Sequence, residues 1–189
     1  MNRTSTRLLL TCAALGVAGS LVFVPTVYAG TALLALAPVF YGLATGAYIL
    51  PGVLAQALFR RGGIAFITTL LAGLVAAPFV PGGITYLPIF ALVGAVQELP
   101  FAINRYRYWR GWVFYATAVV VGAAAGISSF RLLDVATTPL WVQIVQPLTY
   151  VIAFVAFTWI GRAVAAALDR TGVARGLQRS IDRTTESRK

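Results

Sequence analysis

Histidine is missing from this chain, and cysteine appears once, as Cys12 within the first apolar run. That excludes a disulfide framework, a cysteine-rich zinc site, a histidine-based triad and a Cys/His dyad. Acid is nearly as scarce: of five Asp and Glu residues only Glu98 lies inside a hydrophobic run, which leaves no carboxylate pair for acid/base hydrolysis within a membrane. A Gly-rich phosphate loop of the G-x-x-x-x-G-K-[ST] kind is also absent. These absences point away from an enzyme and give no reason to expect a cofactor or a metal.

What is present is apolar. The 189 residues are 59 % hydrophobic and 11 % charged, where a soluble globule would carry about 25 % charged residues. The composition predicts one all-α, polytopic membrane domain. A net charge of +10 could suggest nucleic acid, but the arginines sit in short clusters between apolar runs, which reads as membrane topology and not as a basic binding face.

Six runs long enough to span are expected, at about 8–24, 31–50, 64–80, 84–103, 112–130 and 139–160, forming a membrane domain over 1–162 with a basic cytoplasmic tail over 163–189. The first run, preceded by Arg3 and Arg7 and followed by Val27-Tyr28-Ala29, has the outline of a secretory signal. Its length of about 17 residues exceeds a signal core and favours a retained helix. That helix carries Ala14-x-x-x-Ala18 and Gly16-x-x-x-Ser20, small residues at the spacing that admits a close helix. After Leu50-Pro51-Gly52 the apolar segment to Phe59 is expected to kink toward the cytoplasmic interface, because proline cannot donate the regular backbone bond. Arg131 and Asp134 in the outer loop are expected to satisfy each other or water.

Counting basic residues sets the orientation. With the N-terminus inside, fourteen of the fifteen arginines and lysines fall on the inner side and only Arg131 outside, so both termini are expected to be cytoplasmic at the plasma membrane.

An ionised carboxylate in hydrocarbon costs several kcal/mol unless paired or wet, so Glu98 is the first candidate for function. It lies about six residues, or roughly 9 Å, before the basic Arg105, Arg107 and Arg110. Two roles are open to it: a ligand anchor, or a lock between helix ends made with Arg60, Arg61 or Arg105. Gln97, Tyr41 and Tyr48 are further candidates to line a cavity, and Gln143, Gln146 and Tyr150 share a stripe on the last span. A carboxylate among tyrosines suits a cationic or amino-bearing flat ring.

The order and spacing of Phe40-Tyr41-Gly42-Leu43, Ile49-Leu50-Pro51-Gly52-Val53-Leu54, Arg60-Arg61-Gly62-Gly63-Ile64-Ala65, Gly94-Ala95-Val96-Gln97-Glu98-Leu99 and Arg105-Tyr106-Arg107 resemble the YkoE-type substrate-binding subunits of energy-coupling factor (ECF) transporters. The resemblance implies a six-helix vitamin-capture subunit, for thiamine or a related precursor, that works with a transmembrane coupling protein and two ATP-hydrolysing subunits and catalyses nothing itself. It places Glu98 at the family's acidic position and makes Ala14 and Ala18 the match to a motif that docks the coupling protein. The competing readings are a structural or regulatory membrane protein and a proton-coupled transporter using Glu98. In every reading the basic tail is expected to meet anionic membrane lipid.

Overall fold

A computed structural model describes residues 6–107, 109–132 and 139–170, apart from the side chains at 7, 131 and 132. The Asp134 pairing and most of the basic tail, 171–189, lie outside the described residues. Within them all regular structure is helical: α1 (Thr6–Leu36), α2 (Gly42–Thr45), α3 (Leu50–Phe59), α4 (Ile64–Ala76), α5 (Leu87–Ile103), α6 (Gly111–Ser128) and α7 (Leu140–Arg170), with short 3-10 turns at Pro38–Phe40, Gly46–Ile49, Ala77–Phe79, Gly83–Tyr86 and Ser129–Leu132. Five helical stretches are long and apolar enough to cross a membrane, and Ile64–Phe79 is a shorter apolar one.

The first two expected spans are divided differently. No break occurs at 25–30: Pro25 sits inside α1, which continues to Leu36, and the chain turns at Ala37. A proline stops a helix where water can take up the freed carbonyl; in an apolar run the helix remains the best way to satisfy the backbone, so it continues. The second crossing is therefore Pro38–Phe59. Its 3-10 and α pieces follow one another without a reversal, and 78 % of its apolar window is buried against 28–39 % for the other four, which makes it the central element of the bundle. The expected kink to the interface is not seen either. Pro51 occupies the first turn of α3, where its missing N–H costs nothing, and 50–56, 58 and 59 are buried.

Close packing around this element depends on residues without a Cβ. A Cβ at Gly46 would lie 2.5 Å from the Phe157 ring and 2.7 Å from the Ala153 carbonyl oxygen, so α7 meets the central chain almost backbone to backbone. The remaining long seams join α1 to α4, α4 to α5 and α6 to α7. At its far end α7 passes the expected limit near 160 and runs to Arg170, because Gly161 and Ala165 still face the bundle.

Candidate functional site

The sequence candidates separate into two levels. At one, α1 presents Phe23, Thr26, Val27, Gly30 and Thr31 from successive turns, and the 38–49 stretch presents Tyr41, Ala44, Thr45 and Tyr48 in the same way. Tyr86, just before α5, completes the lining of a cavity of about 20 Å³. Phe23 is its aromatic hub: its ring meets Tyr48 edge-on at 4.7 Å, Phe90 at 4.7 Å and Tyr86 at 6.1 Å. The threonines donate to carbonyls of their own helix, Thr26 to Phe23 at 2.7 Å and Thr45 to Gly42 at 2.7 Å, which leaves hydroxyl lone pairs free to accept. The cavity has room for about one water, far below the 300 Å³ or more of a small-molecule site.

Tyr150 and Gln146 do not line it. Tyr150 packs edge-on against Tyr41 at 6.4 Å from the α7 side, and Gln146 Nε2 donates to Ser129 Oγ at 3.0 Å, tying α7 to the end of α6.

Glu98 and Gln97 lie at a second level. Twelve residues separate Tyr86 from Glu98 along one helical stretch, an axial distance of roughly 18 Å. There α4 begins at Gly63, whose φ of 81° suits glycine but which offers no capping side chain. Glu98 supplies the cap from the neighbouring helix: its Oε1 accepts the Ala65 N–H at 2.7 Å, in the first turn of α4. That orphan donor and the positive end of the helix dipole explain how an acid is tolerated in this position. This bond ties α5 to the first turn of α4 through a backbone amide.

Gln97 braces the same level. Its Nε2 donates to the Ile49 carbonyl at 2.9 Å, at the entry to α3, and its own carbonyl accepts from Gln56 Nε2 at 3.4 Å. Thr68 Oγ1, Thr69 Oγ1, Gln97 Oε1 and Glu98 Oε2 are buried there with no hydrogen-bond partner among the described residues. These groups make one polar level, which the Tyr48 ring does not join, since it packs against Phe23 and Phe90.

The loop after α5 closes this level. Tyr106 N–H donates to Phe101 O at 2.7 Å and Arg105 N–H to Ala102 O at 2.9 Å, a Schellman arrangement with Arg105 left-handed at φ 48°. Tyr106 is left-handed too, at φ 57°, and its ring lies over Gly62. Burial pushes the Tyr106 phenol above its ordinary value, and the Glu98 charge pushes the same way. Gly62→Ala would put a Cβ 2.7 Å from that ring. It is expected to cost about 1 kcal/mol in thermal unfolding, and much less in a Tyr106→Ala background.

The two small-residue motifs of α1 face opposite ways. Gly16 and Ser20 are buried, Gly16 against Thr68, Leu71 and Ala72 of α4, whereas Ala14 and Ala18 are exposed on the outer face of the bundle.

Sequence reasoning missed Phe23, Tyr86 and the threonines of the cavity. Tyr86 stood next to the Pro81-Gly82-Gly83 turn, but nothing local distinguishes Phe23 from other apolar residues of its run.

A family model described as "ABC-type cobalt transport system, permease component" matches residues 8–125. Among solved structures, one described as "Crystal structure of an S-component of ECF transporter" superposes with a TM-score of 0.81 over 97 % of this chain and 98 % of that chain, at 19 % identity, so the two share a fold. No curated protein matches the sequence significantly.

Proposed function

Because the chain belongs to the family of ABC-type cobalt transport system permease components, we propose that it is the substrate-binding membrane subunit of an ECF-type importer, carrying a thiamine-related vitamin or precursor. The shared fold with an ECF S-component supports the class. The observation that carries the substrate reading is the cavity of Phe23, Tyr41, Tyr48 and Tyr86, whose rings and threonine hydroxyls suit a flat, amino-bearing heterocycle.

The family's description names cobalt, and the donor chemistry disfavours the bare ion. The chain has no histidine, and among the described residues no group of three or more His, Cys, Asp or Glu is placed to hold a metal.

In this reading six crossings place both termini in the cytoplasm, and the cavity lies in the outer half, loaded from outside. The substrate enters as the 38–49 stretch parts from α1. Tyr41 and Tyr48 touch it, Tyr150 and Gln146 hold α7 behind them, and Glu98 and Gln97 brace the floor. Ala14 and Ala18 dock the coupling protein, and partner subunits hydrolyse ATP.

Purified protein is expected to bind thiamine or its hydroxymethylpyrimidine precursor saturably in a calorimetric titration and not to bind cobalt(II). The converse result would overturn the substrate class. Failure to copurify or transport with a coupling protein and ATPases would overturn the importer. Tyr48→Ala should weaken organic ligand binding by about tenfold or more, a loss of roughly 1.4 kcal/mol, while Tyr48→Phe retains most of it.

A further inference from the structure

Arg162 is the one arginine of α7 that turns back onto the bundle. Its guanidinium carbon stands 5.6 Å from the centre of the Phe114 ring and 5.1 Å from that of Tyr115. A Cβ on Gly111 would come within 2.8 Å of its Nη2, so the first residue of α6 must be small for the cation to sit there. Cation–π contact fixes the guanidinium in place but does not neutralise it. Nor does an acid of the described chain: only Glu98 and Asp169 are available, Glu98 caps α4, and Asp169 is seven residues, roughly 10 Å of rise, further along α7.

The surroundings place this charge at a membrane surface. About 20 residues of α7 from Leu140 cross a hydrocarbon core of about 30 Å and bring the chain to Trp159. Trp159 is 63 % exposed, and Trp112, in the first turn of the antiparallel α6, is 65 % exposed. Exposed tryptophans on two helices at one level are the mark of the headgroup region. The first-turn amides of α6 add positive potential at the same spot.

We propose that the α6–α7 end at Arg162 is a binding site for the phosphate of an anionic phospholipid headgroup, with Trp112 and Trp159 anchoring the lipid at the interface. The occupant is a lipid and not a free phosphate because the cation is held at a level marked by two exposed tryptophans, one next in sequence to Gly111 and one a helical turn before Arg162. The assignment to the cytoplasmic leaflet rests on the orientation proposed above; the site itself does not.

The full chain is to be tested in mild detergent, by native mass spectrometry and thermal shift, against phosphatidylglycerol, phosphatidylcholine and inorganic phosphate. Phosphatidylglycerol is expected to remain bound and to raise the melting temperature, with neither effect from the other two. Arg162→Gln should weaken its binding at least fivefold, whereas Arg107→Gln, which removes an exposed charge elsewhere at the same end, leaves it within twofold. Equal retention of both lipids, stabilisation by phosphate alone, or equal losses in the two variants would overturn the site. If Arg162→Gln does not fold, Arg162→Lys, which keeps the charge but not the planar stacking, takes its place: a loss of at least threefold supports the site, and unchanged binding overturns it. Vitamin binding is measured separately, so the two assignments fail independently.

Discussion

Gly52→Ala is expected to destabilise the protein by about 2–5 kcal/mol, the sum of overpacking and a broken buried hydrogen bond. A Cβ there would fall on the Gln97 amide oxygen, with Thr69 Oγ1 at 2.7 Å. Gln97 is the flexible partner, but it is 1 % exposed and its Nε2 is committed to the Ile49 carbonyl. Moving it would strand that carbonyl and its own amide in an apolar interior. The loss should appear as a lower midpoint in chemical or thermal unfolding. A double-mutant cycle makes the cause specific: in a Gln97→Ala background, which removes the clashing amide, Gly52→Ala should cost at least about 1 kcal/mol less. Additive losses would show that the three-helix junction of α3, α4 and α5 is not held through Gln97.

The second large effect concerns Glu98. Glu98→Leu removes the acceptor of the Ala65 N–H and should cost about 1.5–3 kcal/mol, the range for a hydrogen bond to a charged group. Glu98→Gln keeps an oxygen for that amide and gives up only the charge at the helix end, a loss of about 1 kcal/mol. In the folded fraction both variants should bind the organic ligand within about threefold of the parent, a difference under 1 kcal/mol. The opposite pattern, with stability preserved and binding abolished in Glu98→Gln, would return Glu98 to the ligand site and remove it as a brace.

These two residues show where the sequence was legible. That Glu98 is exceptional follows from one dimension: a single acid in long apolar runs needs a partner in any fold. Its partner did not follow, because a backbone amide at the start of α4 is invisible in a residue list. The same holds for the cavity. Tyr41 and Tyr48 could be named as cavity candidates, but Phe23 is drawn in only by α1 packing beside the 38–49 stretch. Boundaries were hardest inside apolar runs. Pro25 and Pro51 look like stops, yet one lies within a helix and the other opens a buried one.

By itself the sequence determined the helical membrane class, the scarcity of histidine, cysteine and acid, a likeness to ECF substrate-binding subunits that agrees with the shared fold, and the placing of one acid in an apolar run beside a basic loop. Each of these depends on composition, run length or local order, which do not change with packing. Only the tertiary structure decided that Pro38–Phe59 is the buried centre, that Glu98 and Gln97 bond to neighbouring helices while Tyr86 of the aromatic cavity lies roughly 18 Å from Glu98 along the axis, and that Arg162 turns onto α6. Those depend on which helix faces meet, and many apolar faces of similar composition compete for each contact. The choice among them is made by shape, chiefly where a missing Cβ at Gly46 or Gly52 lets one chain approach another.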